Sequence, residues 1–316
     1  MSAENDVIRD RRRFRGPNPL LVKELRGRMR GARAFILLTV YVLLLSCLAS
    51  IIYYAFNVEA GAPSGPNTAE LGTAVFSGIV LIELFLVTFI TPAFTAGAIT
   101  GERDRRTFEL LRSTLLPARK VVLGKLTAAL TYVGLLVLAA VPLEGLAFML
   151  GGVVLEELLV ALLILLVTGF AFGIVGLFFS SLVRRTLTAT LLTYGVSLLM
   201  TVVLPVVLFF VFLLIGEPIV SGYAAVEPSV LLQAVLFYAI YLLGNLSPLT
   251  AAVISKVILV EESSLWAFEM TLSTGSGASS TIPVPSGWIV YVVFYLVLSL
   301  VLLGLTVLRI KRQEIQ

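Results

Sequence analysis

Histidine is absent from the 316-residue sequence, and cysteine occurs only once. Without histidine, the chain lacks the commonest side-chain metal ligand and the usual general base at neutral pH. Cys47 has no second cysteine with which to form an intrachain disulfide, and its place in an apolar run predicts a small buried hydrophobic side chain. We therefore expect no metal site and no cofactor bound by this chain.

Motifs of nucleotide hydrolysis and of common hydrolases are also missing. Gly124 and Lys125 are followed by Leu126, and Arg119 stands where the first glycine of a P-loop would be. The sequence contains no His-Glu-x-x-His, no cysteine pair and no Gly-x-Ser-x-Gly. The chain is therefore expected not to be an enzyme and not to hydrolyse ATP itself.

Charge is scarce, and apolar residues are abundant. Charged residues make up 13% of the chain, about half of the roughly 25% that is typical of a soluble domain. Apolar residues make up 59%, and the mean hydropathy is +1.03. So few charges cannot cover a water-exposed surface, so the bilayer must be the main solvent. The composition predicts an all-α, polytopic membrane protein.

Long apolar runs give the number of spans. A bilayer core about 30 Å thick needs ~20 mostly apolar helical residues. The runs predict six transmembrane helices, at about 35–56, 71–99, 121–150, 157–182, 187–215 and 287–308. They divide the chain into a cytoplasmic N-terminal part (1–34), a transmembrane domain (35–308) and a cytoplasmic tail (309–316).

The region before the last span, about 216–286, is predicted to be extracellular or re-entrant. Its apolar run at 229–244 has about 16 residues, which suits an interfacial or re-entrant helix better than a full span. Residues 271–287 are rich in Ser, Thr, Gly and Pro and predict a loop.

Basic residues determine the predicted orientation. With six spans and a cytoplasmic N-terminus, 22 of the 23 Lys and Arg residues lie on the cytoplasmic side, and only Lys256 lies outside. A seventh span at 229–244 would instead place Arg309, Lys311 and Arg312 outside. The prediction is a multi-pass plasma-membrane protein with both termini cytoplasmic. Because the basic clusters separate hydrophobic runs, they indicate topology rather than binding to nucleic acid.

Residues 17–33 form a basic amphipathic stretch before the first span. Apolar residues recur every three to four positions, and cations fill much of the remainder. This pattern predicts an interfacial helix that contacts membrane lipid. Its membrane-interface residues are Leu21, Lys23, Leu25, Arg26, Met29 and Arg30. The alternative is a basic anchor that only fixes orientation.

A second amphipathic helix is predicted at about 101–116, between the second and third spans. Phe108, Leu111 and Leu115 are spaced to form one apolar ridge with a charged rim. An aromatic anchor on such a helix is suited to docking into a partner's groove. The partner-binding residues are expected to be Glu102, Arg103, Arg106, Phe108, Glu109, Leu111 and Arg112. The alternative is a solvated helix that rests on the membrane.

These two segments carry a family resemblance. The strings NPLLVKELRGRMR and TPAFTAGAITGERDRRTFELLRSTLLPARKVVLGKL resemble the permease subunits of ABC-2 type transporters. The family's usual Gly-Thr-Leu before Glu-Leu-Leu is replaced here by Arg106-Thr107-Phe108. The resemblance implies a six-span exporter powered by a separate P-loop ATPase, which would bind ATP and Mg²⁺. It also implies an elbow helix at 17–33, a coupling helix at 101–116 and pairing with a second permease copy, identical or related.

One ionisable residue, Glu83, lies near the middle of the second predicted span. Such a residue costs roughly 2.5–3.5 kcal/mol on insertion scales. Glu83 is therefore a candidate for the substrate path or for a conformational role; the alternative is a neutral carboxyl bonded to a neighbouring helix. Glu144 is expected nearer the outer interface and carries less weight.

Three functions remain open from the residues alone. The first is a permease, and the second is a membrane scaffold that recruits a cytosolic protein without moving a substrate. An ion-coupled carrier is a third, but it predicts paired intramembrane charges and broken helices, which Glu83 alone does not supply. The apolar spans slightly favour lipidic or amphipathic cargo over a small ion.

Overall fold

The computed structural model describes residues 32–59, 68–105, 117–216, 230–261, 264–273 and 279–315. Six helices in this part of the chain are long and apolar enough to cross a membrane, and one further pair of shorter helices is bent by 119° at its break. The prediction of an all-α polytopic membrane protein with six spans is confirmed. The elbow residues Leu21, Lys23, Leu25, Arg26, Met29 and Arg30 lie outside the described residues.

Ten α-helices and one hairpin are described. The first four helices are α1 (Ala32–Glu59), α2 (Thr68–Thr95), α3 (Thr100–Asp104) and α4 (Ala118–Leu150). They are followed by α5 (Leu155–Leu182), α6 (Thr186–Leu198), α7 (Leu204–Val211), α8 (Val230–Gly244), α9 (Pro248–Glu261) and α10 (Gly287–Ile315). Strands β1 (Ala267–Ser273) and β2 (Ser279–Pro285) precede α10. The fifth span consists of α6 and α7 with π-helical turns at Leu199–Val203 and Phe212–Gly216.

Helix α5 is the centre of the bundle. Two thirds of its most apolar window (67%) is buried, against 11% for the first and fifth spans. Gly176 allows the close approach of α2, since a Cβ there would lie 2.1 Å from Thr95 Oγ1. Gly169 and Gly173 make similar approaches to α2 and α4. The glycines of α5 thus serve packing within the chain.

Contacts between the spans fix their relative directions. Thr168 and Tyr291 share a hydroxyl–hydroxyl bond of 2.7 Å, and Arg309 Nη2 donates to the Leu182 carbonyl at 3.3 Å, so α5 and α10 run parallel. Successive spans alternate in direction. The start of α1 and the end of α10 therefore lie at the same end of the bundle, which we call the α3 end. The opposite end carries the α4–α5 turn, where Gly151 and Gly152 adopt positive φ.

Residues 267–273 and 279–285 pair as antiparallel strands, so the prediction of a loop at 271–287 is wrong for 271–273 and 279–285. Ala267 pairs with Pro285 and Ser273 with Ser279. Pro283 and Pro285 are tolerated because a two-stranded sheet has only edge strands. Tyr238 and Tyr241 of α8 donate to the carbonyls of Pro283 and Pro285, each at 2.6 Å. The hairpin thus rests on α8.

Helices α8 and α9 form a V that enters the bundle from the hairpin side. At its corner, the Leu246 carbonyl accepts a 2.7 Å bond from the Tyr295 hydroxyl. Ser247 Oγ lies 3.5 Å from the carbonyl of Thr201, which Pro205 leaves without its usual helical donor. Residues near the end of α9 contact the beginning of α2, at the end from which α8 starts. The bend of 119° fits a re-entrant pair or a broken span, and the re-entrant or interfacial interpretation of 229–244 stays a prediction.

Cys47 is exposed on α1, and the expectation that it is buried is wrong. The first span packs mainly through Tyr41 and Leu45, which lie on another side of the helix. An apolar run in a membrane helix does not distinguish a side chain facing protein from one facing lipid, because both environments are apolar.

Candidate functional site: a coupling face and a buried acidic cluster

The junction between α2 and α3 is fixed by Ser180 from the end of α5. The backbone N–H groups of Ile99 and Thr100 both donate to Ser180 Oγ, at 2.9 and 3.1 Å. Ser180 and Thr100 are fully buried. These donors belong to the first turn around α3, where N–H groups have no helical acceptor. Ser180 therefore sets the position from which the predicted coupling segment begins.

An ion pair joins α3 to α4. Lys125 Nζ lies 2.6 Å from Glu102 Oε1, with Lys125 only 3% exposed and Glu102 22% exposed. A lysine this buried requires a partner, and Glu102 supplies one. The ion pair therefore links the start of the predicted coupling segment to the third span.

The rest of α3 is hydrogen-bonded to the turn between α5 and α6. Arg103 Nη1 donates to the Val183 carbonyl at 3.1 Å, and Thr186 Oγ1 donates to Asp104 Oδ2. The Leu182 carbonyl next to them accepts from Arg309 of α10. We call Ser180, Glu102, Lys125, Arg103 and Asp104, with these partners, the α3 clamp. It joins the start of the coupling segment to four spans.

Two of the predicted partner-binding residues, Glu102 and Arg103, thus bond within their own chain. Their contact with a partner stays a prediction. Five further residues assigned to the same surface lie outside the described residues: Arg106, Phe108, Glu109, Leu111 and Arg112. Sequence spacing did not indicate Ser180 and Lys125, because both are distant along the chain and lie in spans.

Glu83 is fully buried, and it is not alone. Its carboxyl lies within interaction range of the Glu144 carboxyl and the Tyr41 hydroxyl. Glu144 is 1% exposed and Tyr41 3%. Glu144, which carried less weight in the sequence analysis, therefore lies beside Glu83, and its position nearer the outer interface stays a prediction. None of these oxygens has a hydrogen-bond partner of good geometry in the described structure. We call the three residues the acidic cluster.

The acidic cluster lies where α1, α2 and α4 meet. Two carboxylates facing each other in a low-dielectric interior repel, so both cannot be ionised there without a large cost. The alternative in the sequence analysis, a neutral Glu83 bonded to a neighbouring helix, did not include a second carboxyl. A second ionisable residue in a span, Glu144, was the available signal. It carried less weight because position along one helix does not show which side chains of other helices it meets.

Two cavities open beside the V formed by α8 and α9. One, of about 420 Å³, lies between α2, α5 and α9 and includes Ser77, Glu157 and Lys256. The other, of about 530 Å³, lies between α7, α8 and α9 and is lined almost entirely by apolar side chains. Neither of these two cavities is lined by Glu83. Among the described residues, no three His, Cys, Asp or Glu side chains come together as a metal site.

Comparison with protein-family models identifies the family of the chain. Residues 19–315 match the family described as ABC-2 family transporter protein. The chain belongs to the ABC-2 transporter family. The match spans the elbow segment, the coupling segment and all six spans, well beyond the stretches that carry the sequence resemblance. Comparison with curated proteins gives no significant match.

Membership of the ABC-2 family makes the chain a permease subunit of an ABC transporter and implies association with an ATP-binding-cassette ATPase. Permeases of this family are membrane transport components without their own ATPase site. The α3 clamp and the V formed by α8 and α9 are therefore parts of an ABC-2 permease.

Proposed function

We propose that the permease exports its substrate and is powered by a separately encoded ATPase that docks on the helix at about 101–116. The observation that carries this proposal is the α3 clamp. The clamp joins the start of that helix to α4, to the α5–α6 turn and to α10 through Glu102–Lys125, Arg103–Val183 and Arg309–Leu182. A force applied at α3 therefore reaches several spans together.

Charge at the α3 end supports its assignment to the cytoplasm. Arg103, Arg184 and Arg309 lie close enough there for their charges to interact. A cationic end of the bundle is expected on the cytoplasmic side. Both termini are then cytoplasmic, the hairpin is extracellular, and the protein resides in the plasma membrane.

Docking would use the ridge of Phe108 and Leu111 with the charges of Arg106, Glu109 and Arg112 around it. Glu102 and Arg103 would support this ridge through the clamp rather than form its centre. Leu21, Leu25 and Met29 would lie in lipid, with Lys23, Arg26 and Arg30 near anionic headgroups. ATP and Mg²⁺ would be held by the partner ATPase.

Pairing with a second permease copy is part of the same proposal. The first and fifth spans are only 11% buried in their most apolar windows, so they have the most surface left for contact with lipid or a second bundle. ATP-driven closure of two ATPases beneath the pair would move the two α3 clamps and rearrange the seam between the bundles.

Glu83 is proposed to act in this rearrangement and not to line the substrate path. It is fully buried with Glu144 at the junction of α1, α2 and α4. A buried carboxyl pair is sensitive to small changes in helix separation, because the cost of ionising one carboxyl depends on its distance from the other. The acidic cluster would thus favour one arrangement of these three helices over another.

Co-purification tests the proposal. The tagged full-length chain is extracted from its native membrane in mild detergent, and the proteins recovered with it are identified and quantified by mass spectrometry. We expect a P-loop ATPase near one-to-one, lost in the F108D/L111D variant and retained in R119Q, an exposed substitution nearby. Recovery of other cytosolic proteins without any ATPase, in detergent that preserves known complexes, would favour the scaffold function.

A further inference from the structure

The 420 Å³ cavity between α2, α5 and α9 has a polar end and an apolar remainder. Its polar side chains come from the first part of α2, the start of α5 and the second half of α9: Thr73, Ser77, Glu157, Ser255 and Lys256. Phe76, next to Ser77, and Val80 and Leu81, deeper along α2, continue the wall. Thr73 and Leu81 are eight residues apart, or about 12 Å along a helix. The cavity volume falls within the ~300–1,000 Å³ of small-molecule sites.

Lys256 is oriented by α2. Its Nζ donates to Ser77 Oγ and, at 3.4 Å, to the Thr73 carbonyl. An ammonium has three N–H donors, so one remains for a ligand beside these two bonds. Lys256 is also the cation that the sequence places on the outer side, away from the other 22 basic residues. The positive-inside rule places basic residues on the cytoplasmic side, so topology does not explain this cation on the outer side.

Glu157 provides the opposite charge. It is 5% exposed, its Oε2 atom is buried without a hydrogen-bond partner in the described structure, and it interacts electrostatically with Lys256. The two do not come within 4.0 Å as a salt bridge. A buried carboxylate oxygen without a donor is costly. The polar end therefore has an anchored cation and, apart from it, an acceptor that needs a donor.

The cavity opens towards the bilayer. Val253, Val257 and Val260 of α9 line it and are 47%, 46% and 55% exposed. They give it an apolar side entrance below the polar end. A water-soluble ligand would find no matching surface there, whereas a lipid could place its chain in the apolar part and its headgroup at the polar end.

We propose that this cavity binds a bilayer phospholipid whose headgroup carries a primary ammonium. The phosphate contacts Lys256, the ammonium donates to the Glu157 carboxylate, and one acyl chain lies against Phe76, Val80 and Ile164. A primary ammonium has N–H donors for the carboxylate. A trimethylammonium group has none, and an uncharged headgroup leaves Glu157 without a cation. Binding at this site is independent of whether the lipid is transported.

Native mass spectrometry of the purified full-length chain tests the site. Phosphatidylethanolamine, phosphatidylcholine and phosphatidylglycerol with identical acyl chains are titrated in turn. We expect phosphatidylethanolamine to bind roughly tenfold more tightly than the other two, as a charged hydrogen bond predicts. E157Q removes this preference, and K256Q weakens all three lipids. Two exposed substitutions serve as controls and leave the preference unchanged: E156Q, next to Glu157 in the sequence, and K311Q, at the α3 end.

Two further measurements identify the source of binding and guard against misfolding. Soluble phosphoethanolamine at the same concentrations is expected not to compete, because the acyl chain is part of the ligand. A252F fills part of the cavity without removing either charge, and we expect it to weaken all three lipids. Equal binding of the three lipids to the wild-type chain would overturn the proposal. So would an equal loss of preference in E156Q and E157Q, or competition by the soluble headgroup.

Discussion

Lys125 Nζ lies 2.6 Å from Glu102 Oε1, and this contact joins α3 to the interior-facing side of the third span. Lys125 is 3% exposed, so its ammonium depends on Glu102 for the interaction that water would otherwise supply. Glu102 begins the segment on which the ATPase is proposed to dock. The ion pair therefore links the docking segment directly to the third span.

Replacing Lys125 with Gln is expected to uncouple the complex without dissociating it. The change removes a charge-assisted bond of about 1.5–3 kcal/mol but leaves the ridge of Phe108 and Leu111 intact. We expect a lower thermal unfolding midpoint of the purified chain and a reduced substrate-stimulated ATPase rate, with ATPase recovery unchanged. R119Q is the control, since Arg119 is exposed at the start of the same helix. A K125Q complex with full stimulation would contradict the role of the pair.

Ser180→Ala is expected to loosen the α2–α3 junction. The variant removes the acceptor of the Ile99 and Thr100 N–H groups, and leaving buried donors unpaired costs about 1–3 kcal/mol. Hydrogen–deuterium exchange should be faster at these two amides. Ser181→Ala is the matched control, because Ser181 is buried but donates only to Phe178 of its own helix. Equal exchange in the two variants would show that Ser180 does not fix the junction.

Gly176→Ala is expected to separate α2 from α5. A Cβ at this position would lie 2.1 Å from Thr95 Oγ1 and 3.2 Å from the Ala96 backbone nitrogen, so the helices must shift. Overpacking of this kind costs about 1–3 kcal/mol. We expect lower yield and a lower unfolding midpoint than for Gly134→Ala, where nothing lies within 4 Å of the added Cβ. Similar midpoints for the two variants would contradict the close approach.

Glu83→Gln is expected to preserve assembly while changing the substrate-stimulated ATPase rate. Glu144→Gln should have a similar effect, and the double variant should be no more severe than either, because the two carboxyls interact directly. The exposed E156Q variant is the control. If E83Q retains the wild-type rate, the conformational role of the acidic cluster is excluded.

The spans were predictable from the sequence because their signal is local. A run of ~20 apolar residues is sufficient to identify a membrane helix, and basic residues next to such runs predict their orientation. The acidic cluster was only half predicted. Glu83 was identified as a polar residue in an apolar span, but its proximity to Tyr41 and Glu144 depends on the packing of three helices, which a single sequence does not specify.

The hairpin and its contact with α8 show a different limit of prediction from a single sequence. Residues 271–287 have the composition of a loop, and a two-stranded hairpin with prolines has little propensity signal of its own. Its position depends on Tyr238 and Tyr241, which donate to its carbonyls from α8. Ser180 and Lys125 were missed for the same reason, since each acts on α3 from another span.

The most direct test of the central claim is ATP turnover by the co-purified ATPase in liposomes, measured with and without the permease. We predict that the wild-type permease changes the turnover rate and that F108D/L111D abolishes this change, while R119Q behaves as the wild type does. The same turnover rate with and without the wild-type permease would contradict the claim that this chain couples ATP hydrolysis to movement of its spans.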